Sequence, residues 1–477
     1  MHKVMAGRPW PLFDVESTRR IEQAAAASLP AHTLMARAGL ATARLALAVA
    51  PHARTIWIAC GPGNNGGDGL EAAVHLQQWG KHVTVTLCSS AGALPRDAAA
   101  ARARCIQAGI TVSTRPPPSS DLCIDALLGI GTARQLQGEL AATVAAINGG
   151  AAPVLAVDVP SGLAADTGSG ASVHASHTLC LLTLKPGLFT AQGRDAAGQV
   201  WFDDLAVPAD VPATALLGGP PAARPRPHAS HKGSFGDVAV VGGAAGMGGA
   251  AVLAASAALH AGAGRVFLAP LDPAVPAFVA GLPELMVRDW ASLPLERLAV
   301  ACGCGGGDAV TGVLADVLRR SDRLVLDADG LNAVAATPAL PPLLRDRAVR
   351  GQPTVLTPHP LEAARLLATT TAEIQADRMR AAQALADRFG CTVALKGSGT
   401  VVAAPQRVPC INSTGNARLA TGGTGDVLAG MVAATLATGA EVFEATCAAV
   451  YRHGALADRW PGDRPLTAGA LAAAVAG

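Results

Sequence analysis

Thr55-Ile56-Trp57-Ile58-Ala59-Cys60 runs directly into Gly61-Pro62-Gly63-Asn64-Asn65-Gly66-Gly67-Asp68-Gly69, and the reading of that junction decides the fold. A β-branched run that ends in glycine is the strand-to-loop step of a βαβ unit, whose ligand lies beyond the strand's carboxyl end. Gly61 to Gly66 satisfies G-x-G-x-x-G, but a dinucleotide fingerprint also expects an acidic residue about 20 positions on to hold a ribose. Here the next strand ends in Leu87-Cys88-Ser89-Ser90, and two asparagines and an aspartate interrupt the glycines. The spacing predicts a helix delayed to Leu70–Trp79. The preceding loop of small residues offers N–H donors to a phosphate, and amide and carboxylate oxygens to a hard cation.

Outward from this junction, an Ala-rich helical stretch with Leu34, Met35, Ala38, Leu45 and Val49 leads in, and strands are expected at His82–Leu87, Leu122–Leu127, Val154–Val157 and Thr178–Leu184. Pro208 to Pro227 is dense in proline without apolar periodicity and reads as a connector. Beyond it, strands are expected at Asp237–Val241, Arg265–Leu268, Leu298–Ala301, Leu324–Leu326, Thr354–Leu356 and Thr392–Leu395, with helices at Val427–Ala437 and Glu444–Arg459. Alternating strands and helices in both halves give an α/β class with mostly parallel sheets. The chain has 477 residues, and one core rarely grows past about 250–300, so two domains are expected, 1–219 and 220–477.

Charge is balanced, 37 Lys+Arg against 35 Asp+Glu, and aromatic residues make up 3%. Neither phosphate-backbone neutralisation nor base stacking is served, so no nucleic-acid partner is expected. Uncharged stretches such as Gly242 to Leu259 are Gly/Ala/Ser mixtures, not membrane spans, and the N-terminus lacks a signal-peptide apolar core, so a cytoplasmic protein without membrane association is expected. The ten cysteines form no C-x-x-C and no zinc spacing, which points to reduced, buried thiols. Only five basic residues are lysines, so the positions of those five are informative.

Two more carboxylates end strands in the first half: Asp125 in Cys123-Ile124-Asp125-Ala126-Leu127-Leu128-Gly129, and Asp158 in Val157-Asp158-Val159-Pro160-Ser161-Gly162. With Asp68 they are expected to meet at one crevice. These segments, with Leu34-Met35-Ala36-Arg37-Ala38-Gly39, resemble the NAD(P)H-hydrate epimerase domain across most of residues 1–215. The resemblance implies a Rossmann-like three-layer domain. It also implies a hydrate site lined by Asn64, Asn65, Gly66, Gly67, Asp68, Gly129, Ile130, Gly131, Thr132, Ala133, Arg134, Gln135 and Asp158, and a potassium ion (K+) held by Asn65, Asp125 and Ser161. Protonating the hydrate's hydroxyl lets the ring-nitrogen lone pair expel water, and water can return to either face. A carboxyl at that oxygen serves as acid and base, and Asp158 is the candidate.

No lysine of the second half precedes Ser or Thr, so there is no Walker A loop. Instead Thr421-Gly422-Gly423-Thr424-Gly425-Asp426 runs into an apolar helix, where amides and the positive helix end suit an anion and Asp426 could deprotonate a hydroxyl. Lys396-Gly397-Ser398-Gly399-Thr400 offers a point charge and donors for polyphosphate, and Asp327, Asp329 and Asn332 offer oxygens to Mg2+ or to water. With Thr357-Pro358-His359-Pro360, His231-Lys232-Gly233 and Gly246-Met247-Gly248-Gly249-Ala250, these resemble the ADP/ATP-dependent NAD(P)H-hydrate dehydratase over about residues 228–477. The resemblance implies a ribokinase-like α/β domain and hydrate contacts from Ala250, Gly307, His359 and Asp426. Lys396, Gly397, Ser398, Gly399, Thr400 and Gly425 would contact the nucleotide, ADP with Mg2+. One departure stands out: Gly303-Cys304-Gly305-Gly306-Gly307 replaces the usual Gly-Pro-Gly-Leu-Gly. Relatives of this domain assemble into homo-oligomers, which is expected here too. Competing expectations are a ribokinase-like kinase for a small alcohol fused to a non-catalytic domain, and a first half that serves as a protein-binding scaffold.

Overall fold

The computed structural model of the protein describes residues 1–88, 94–131, 136–222, 227–275 and 278–475. The chain divides into two units, Met1–Met5 with Trp10–Ala215, and Ala6–Pro9 with Leu216–Gly477. Among the described residues no helix is long and apolar enough to cross a membrane. All ten cysteines are unpaired, nine buried and Cys447 partly so.

The first unit is a Rossmann-like three-layer α/β fold. Its sheet runs in the order His2–Lys3, Gln199–Asp203, His177–Leu181, Val154–Val157, Leu122–Ala126, Thr55–Cys60, His82–Leu87, Thr111–Ser113. Only the first pair is antiparallel. Side-chain alternation explains the two covered faces: Ile56 and Ile58 join one core with Leu70, Leu76 and Leu45, while Trp57 and Ala59 join another with Val144 and Ile147. Strand order reverses at Thr55–Cys60, whose neighbours are the next strand in the chain on one side and Leu122–Ala126 on the other. That switch point opens a crevice at the carboxyl ends of the strands.

The glycines of the opening motif do not delay the helix. It begins at Asn64 and ends at Gln78, so Asn64 to Gly69 form its first turns, against the expected start at Leu70. Their smallness serves packing: a Cβ on Gly61 would lie 1.7 Å from the Leu127 carbonyl oxygen, one on Gly66 2.0 Å from the Gly61 carbonyl oxygen, and one on Gly69 2.6 Å from the Ala126 Cβ. Backbone must move to admit a methyl at Gly66. Gly66→Ala is therefore expected to lower the stability of this unit by about 3 kcal/mol, read from its melting transition by calorimetry; an unchanged transition would show that the helix start can shift freely.

The second unit is ribokinase-like α/β. Its sheet contains Met286–Val287, Arg265–Pro270, Asp237–Gly242, Ala299–Cys302, Arg323–Leu326, Thr354–Leu356, Thr392–Leu395, Val401–Ala403 and Cys410–Ile411 in that order. It is parallel as far as Thr392–Leu395 and antiparallel for the next two pairings. Leu216 and Leu217 then pair in parallel with Cys410 and Ile411, so part of the proline-rich connector is a strand. Helices Gly248–His260 and Thr424–Ala437 cross backbone to backbone, a Cβ on Gly430 standing 2.0 Å from the Ala254 carbonyl oxygen. The switch point lies between Asp237–Gly242 and Ala299–Cys302.

Candidate active sites

A cavity of about 580 Å³ opens at the switch point of the first unit, a volume typical of small-molecule sites. The helix start contributes Asn64, Asn65 and Asp68, the segment after Leu122–Ala126 contributes Leu127 to Gly131, the segment after Val154–Val157 contributes Asp158, and the segment after His177–Leu181 contributes Leu182 and Lys185. Helix Val15–Ser28 adds Arg19 and Glu22, and Leu34 and Met35 close an apolar side. The structure thus brings together Asn64, Asn65, Asp68, Gly129, Ile130, Gly131 and Asp158. Gly66 and Gly67 are buried in packing instead, Gly67 against Met35 and Ala98. Thr132, Ala133, Arg134 and Gln135 lie outside the described residues.

Asp125 corrects the expectation that three carboxylates share the crevice. It is fully buried beneath the cavity and accepts hydrogen bonds from Ser161 N (2.8 Å), Ser161 Oγ (2.6 Å) and Leu127 N (3.2 Å). Burial raises its pKa to about 6, with those hydrogen bonds holding it back. Ser161 Oγ also accepts from Leu128 N at 2.8 Å. Asn65 is buried against Gly129, and its Nδ2 has no hydrogen-bond partner.

Asp158 sits at φ 69°, in the left-handed region that Asn and Asp tolerate better than other side chains. There its carboxylate meets the Lys185 ammonium, a contact that sequence reasoning missed. Lys185 is 1% exposed and also donates to the Leu181 carbonyl at 2.6 Å. Burial works against its charge, but Asp158 more than compensates and raises its pKa. The pKa of Asp68 stands well above the ordinary carboxylate value, chiefly through desolvation and then through Asp158, Glu22 and Glu71. Glu22 is raised too, again first by burial and then by Asp158.

In the second unit Asp426 occupies the third position of helix Thr424–Ala437, entered through Gly423 at φ 90°. Thr424 N donates to the Thr421 carbonyl at 3.4 Å, which leaves the amides of Gly425 and Asp426 to face an anion. Ligand atoms of Asp426, Asp327 and Cys304 all lie within 4.8 Å of one another. Burial, then Asp327, pushes the Asp426 carboxyl up to about 6, while the Cys304 thiol and Lys396 pull it down. Asp327 is 2% exposed and accepts from Lys396 Nζ (2.5 Å) and Thr357 Oγ1 (2.8 Å). Lys396 Nζ also lies 3.9 Å from Glu362 and 3.3 Å from where a Cβ on Gly425 would be.

His359 caps helix Pro360–Leu367, its Nδ1 accepting from Leu361 N and Glu362 N, with Nε2 3.2 Å from Glu362. Burial and Lys396 lower its pKa, so the ring is neutral at pH 7. Glu362, raised to about 7 mainly by burial, was missed by sequence reasoning; the His-x-x-Glu spacing of a capping box was the available signal. Gly397 and Gly399 both take positive φ in the turn after Lys396, which also carries Ser398 and Thr400; Thr400 Oγ1 donates to the Gly397 carbonyl at 3.3 Å. Beneath that turn the buried Arg378 donates to the Leu395 and Lys396 carbonyls. Gly307 donates to Asp329 at 2.8 Å and stands beside Met247, and Ala250 abuts Gly305. Asn332 is not part of the cluster; it accepts from Arg365.

Comparison with known proteins gives two family matches: residues 31–187 match the family described as YjeF-related protein N-terminus, and residues 238–475 the family described as NAD(P)H-hydrate dehydratase. The bifunctional NAD(P)H-hydrate repair enzyme Nnr of Escherichia coli (strain K12) is 35% identical, over 96% of this chain and 91% of its own. The ADP-dependent (S)-NAD(P)H-hydrate dehydratase of Neisseria meningitidis serogroup B is 45% identical over 52% of this chain and 84% of its own. Among solved structures, an ADP/ATP-dependent NAD(P)H-hydrate dehydratase from Bacillus subtilis co-crystallized with ATP/Mg2+ is 31% identical, covers 53% of this chain and 91% of its own, and has a TM-score of 0.45.

Proposed function

The chain belongs to the bifunctional NAD(P)H-hydrate repair enzymes, and from that premise we propose how its two units divide the work. The first unit epimerises (R)- and (S)-NAD(P)H hydrate, with Asp158 as a proton-transfer group. The second dehydrates the (S) epimer at the expense of ADP, with Asp426 as the base. A match running through both units speaks against a small-alcohol kinase fused to a non-catalytic module. The observation that carries the assignment of roles is that each unit has a carboxyl within the influence of a lysine, Asp158 paired with the buried Lys185 and Asp426 near Lys396.

In the dehydratase step Asp426 takes the proton of the ring hydroxyl as the terminal phosphoryl of ADP passes to that oxygen, leaving AMP. Phosphate then departs with the ring-nitrogen lone pair's assistance, and loss of a ring proton restores the dihydropyridine. Lys396 and the amides of Gly425 and Asp426 offset charge at the transferred group. Lys396 to Thr400 and Gly425 are proposed to hold the nucleotide, with Ala250, Gly307 and His359 toward the hydrate. Mg2+ would be carried on the nucleotide's phosphates, since Asp327 and Asp329 are already engaged by Lys396 and by Gly307.

The oxygens around Asp125 fit K+. A fully buried carboxylate, the Ser161 hydroxyl and the side-chain carbonyl of the buried Asn65 form a hard oxygen set with one negative charge. A bound alkali cation would supply positive charge at the cavity floor. Asp125→Asn is expected to weaken potassium stimulation of epimerisation at least roughly tenfold in apparent affinity, read from epimer interconversion as KCl replaces choline chloride; identical dependence in both proteins would remove Asp125 from the site.

The division itself is tested with mixed epimers, ADP and dihydronicotinamide absorbance. Asp158→Asn should repair the (S) half at the normal rate and leave the (R) half to spontaneous epimerisation. Equal loss of both halves would refute the division.

A further inference from the structure

Asp158 and Asp68 line the same cavity in opposite circumstances. Asp158 is clamped: Lys185 faces it from a buried position, and Leu181 N donates to it at 3.3 Å. Asp68 is surrounded by acids, with Asp158, Glu22 and Glu71 around it. The strands that feed the two residues, Val154–Val157 and Thr55–Cys60, are separated by Leu122–Ala126. Asp68 reaches the cavity from the first turns of helix Asn64–Gln78 and Asp158 from the segment after Val154–Val157, so the two carboxyls enter it from different elements.

We propose that epimerisation uses both carboxyls, Asp68 as the second catalytic residue on the ring face opposite Asp158, and Lys185 as the positioning residue that holds the Asp158 carboxylate in place. This rests on the epimerase reading of the unit. Asp68 gives its proton to the hydroxyl oxygen, the carbon–oxygen bond breaks toward oxygen, the ring-nitrogen lone pair forms the C=N bond, and water leaves. A second water adds to that carbon from the other face while its proton passes to the Asp158 carboxylate. Asp68 ends ionised and Asp158 protonated, the state from which the reverse epimerisation runs. Desolvation first, and then the charges of Asp158, Glu22 and Glu71, favour the protonated form of Asp68.

The test uses the full-length protein, a single hydrate epimer, no nucleotide, and H2¹⁸O. In the wild type each inversion should bring one ¹⁸O onto the carbon. Asp68→Asn and Asp158→Asn, isosteric and compatible with the local backbone, should each slow inversion and label uptake together by about 100-fold or more, while ADP-driven conversion of pure (S) hydrate is unchanged. Removing Lys185 takes stabilising charge from the Asp158 carboxylate. Lys185→Met should therefore lower the kcat of epimerisation by about tenfold or more with KM little changed, and Lys185→Arg should restore most of it. Inversion without ¹⁸O uptake, a wild-type rate in Asp68→Asn, or the loss appearing in Glu22→Gln instead would overturn the proposal. A wild type that does not epimerise would sink the epimerase reading itself.

Discussion

Asp426→Asn is expected to return no measurable NAD(P)H from either epimer, with the ADP-driven step slowed by about 10³-fold, while epimer interconversion continues at the wild-type rate. General-base removal costs about 10²–10⁴ in rate, and several features put Asp426 in the upper part of that range. Burial and Asp327 raise its pKa to about 6, so at neutral pH it is ionised yet more basic than an ordinary carboxylate. The base form is lost as pH falls through that value. Wild-type dehydration should therefore level off above about pH 7 and fall tenfold per unit well below pH 6. Stability should move the other way. Asp426 is not the cap of its helix, since Gly423 holds that position, and a group whose folded pKa lies above its unfolded value costs stability when ionised. The variant should thus melt at the wild-type temperature or slightly above it. A loss below tenfold, or a profile without the acidic limb, would assign the base elsewhere.

Lys396→Met should fail on both counts. Asp327 is 2% exposed and Glu362 4%, and Lys396 faces both. Removing one partner of a buried pair leaves an uncompensated charge, a loss of about 3–5 kcal/mol. At roughly 2–4 °C per kcal/mol for a unit of this size, its transition should fall by about 10 °C. Dehydratase activity should disappear as well, since the same ammonium stands 3.3 Å from the Gly425 position at the helix start. The double variant Asp327→Asn/Lys396→Met separates the two effects: much of the stability should return, without activity. A single variant melting within about 2 °C of wild type would mean that Lys396 is held for the nucleotide alone.

Central parallel strands were legible because β-branched runs bounded by glycine have few other readings, and Thr55–Cys60, His82–Leu87 and Thr392–Leu395 lie where the pattern puts them. Helix starts were less legible. Asn64-Asn65-Gly66-Gly67 and Thr424-Gly425 are poor helix formers, each glycine costing about 1 kcal/mol against alanine, and the pattern accordingly places both starts too late. At the first of these starts tertiary packing overrides propensity: Gly61 and Ala126 leave no space for side chains at Gly66 and Gly69. Within the sites, strand-end carboxylates were visible, but their partners were not. Lys185 stands 27 positions after Asp158 and Lys396 69 after Asp327, and no local spacing encodes such pairings. Of five lysines, one is buried against Asp158 and another, 18% exposed, pairs with Asp327 in the cluster that holds Asp426, so scarcity of the residue was the usable hint. Asp125 differs only in depth: it is fully buried against Ser161 and outside the cavity lining, a depth that strand-end position alone does not encode.

The scattered cysteines have a practical consequence. Cys60, Cys88, Cys105, Cys123 and Cys180 belong to one lobe and Cys302, Cys304, Cys391, Cys410 and Cys447 to the other, and all but Cys447 are shielded from water. An alkylating reagent therefore finds almost nothing to attack until a lobe opens. Peptide-resolved labelling over time then clocks the opening of each half separately, using only atoms the protein already carries.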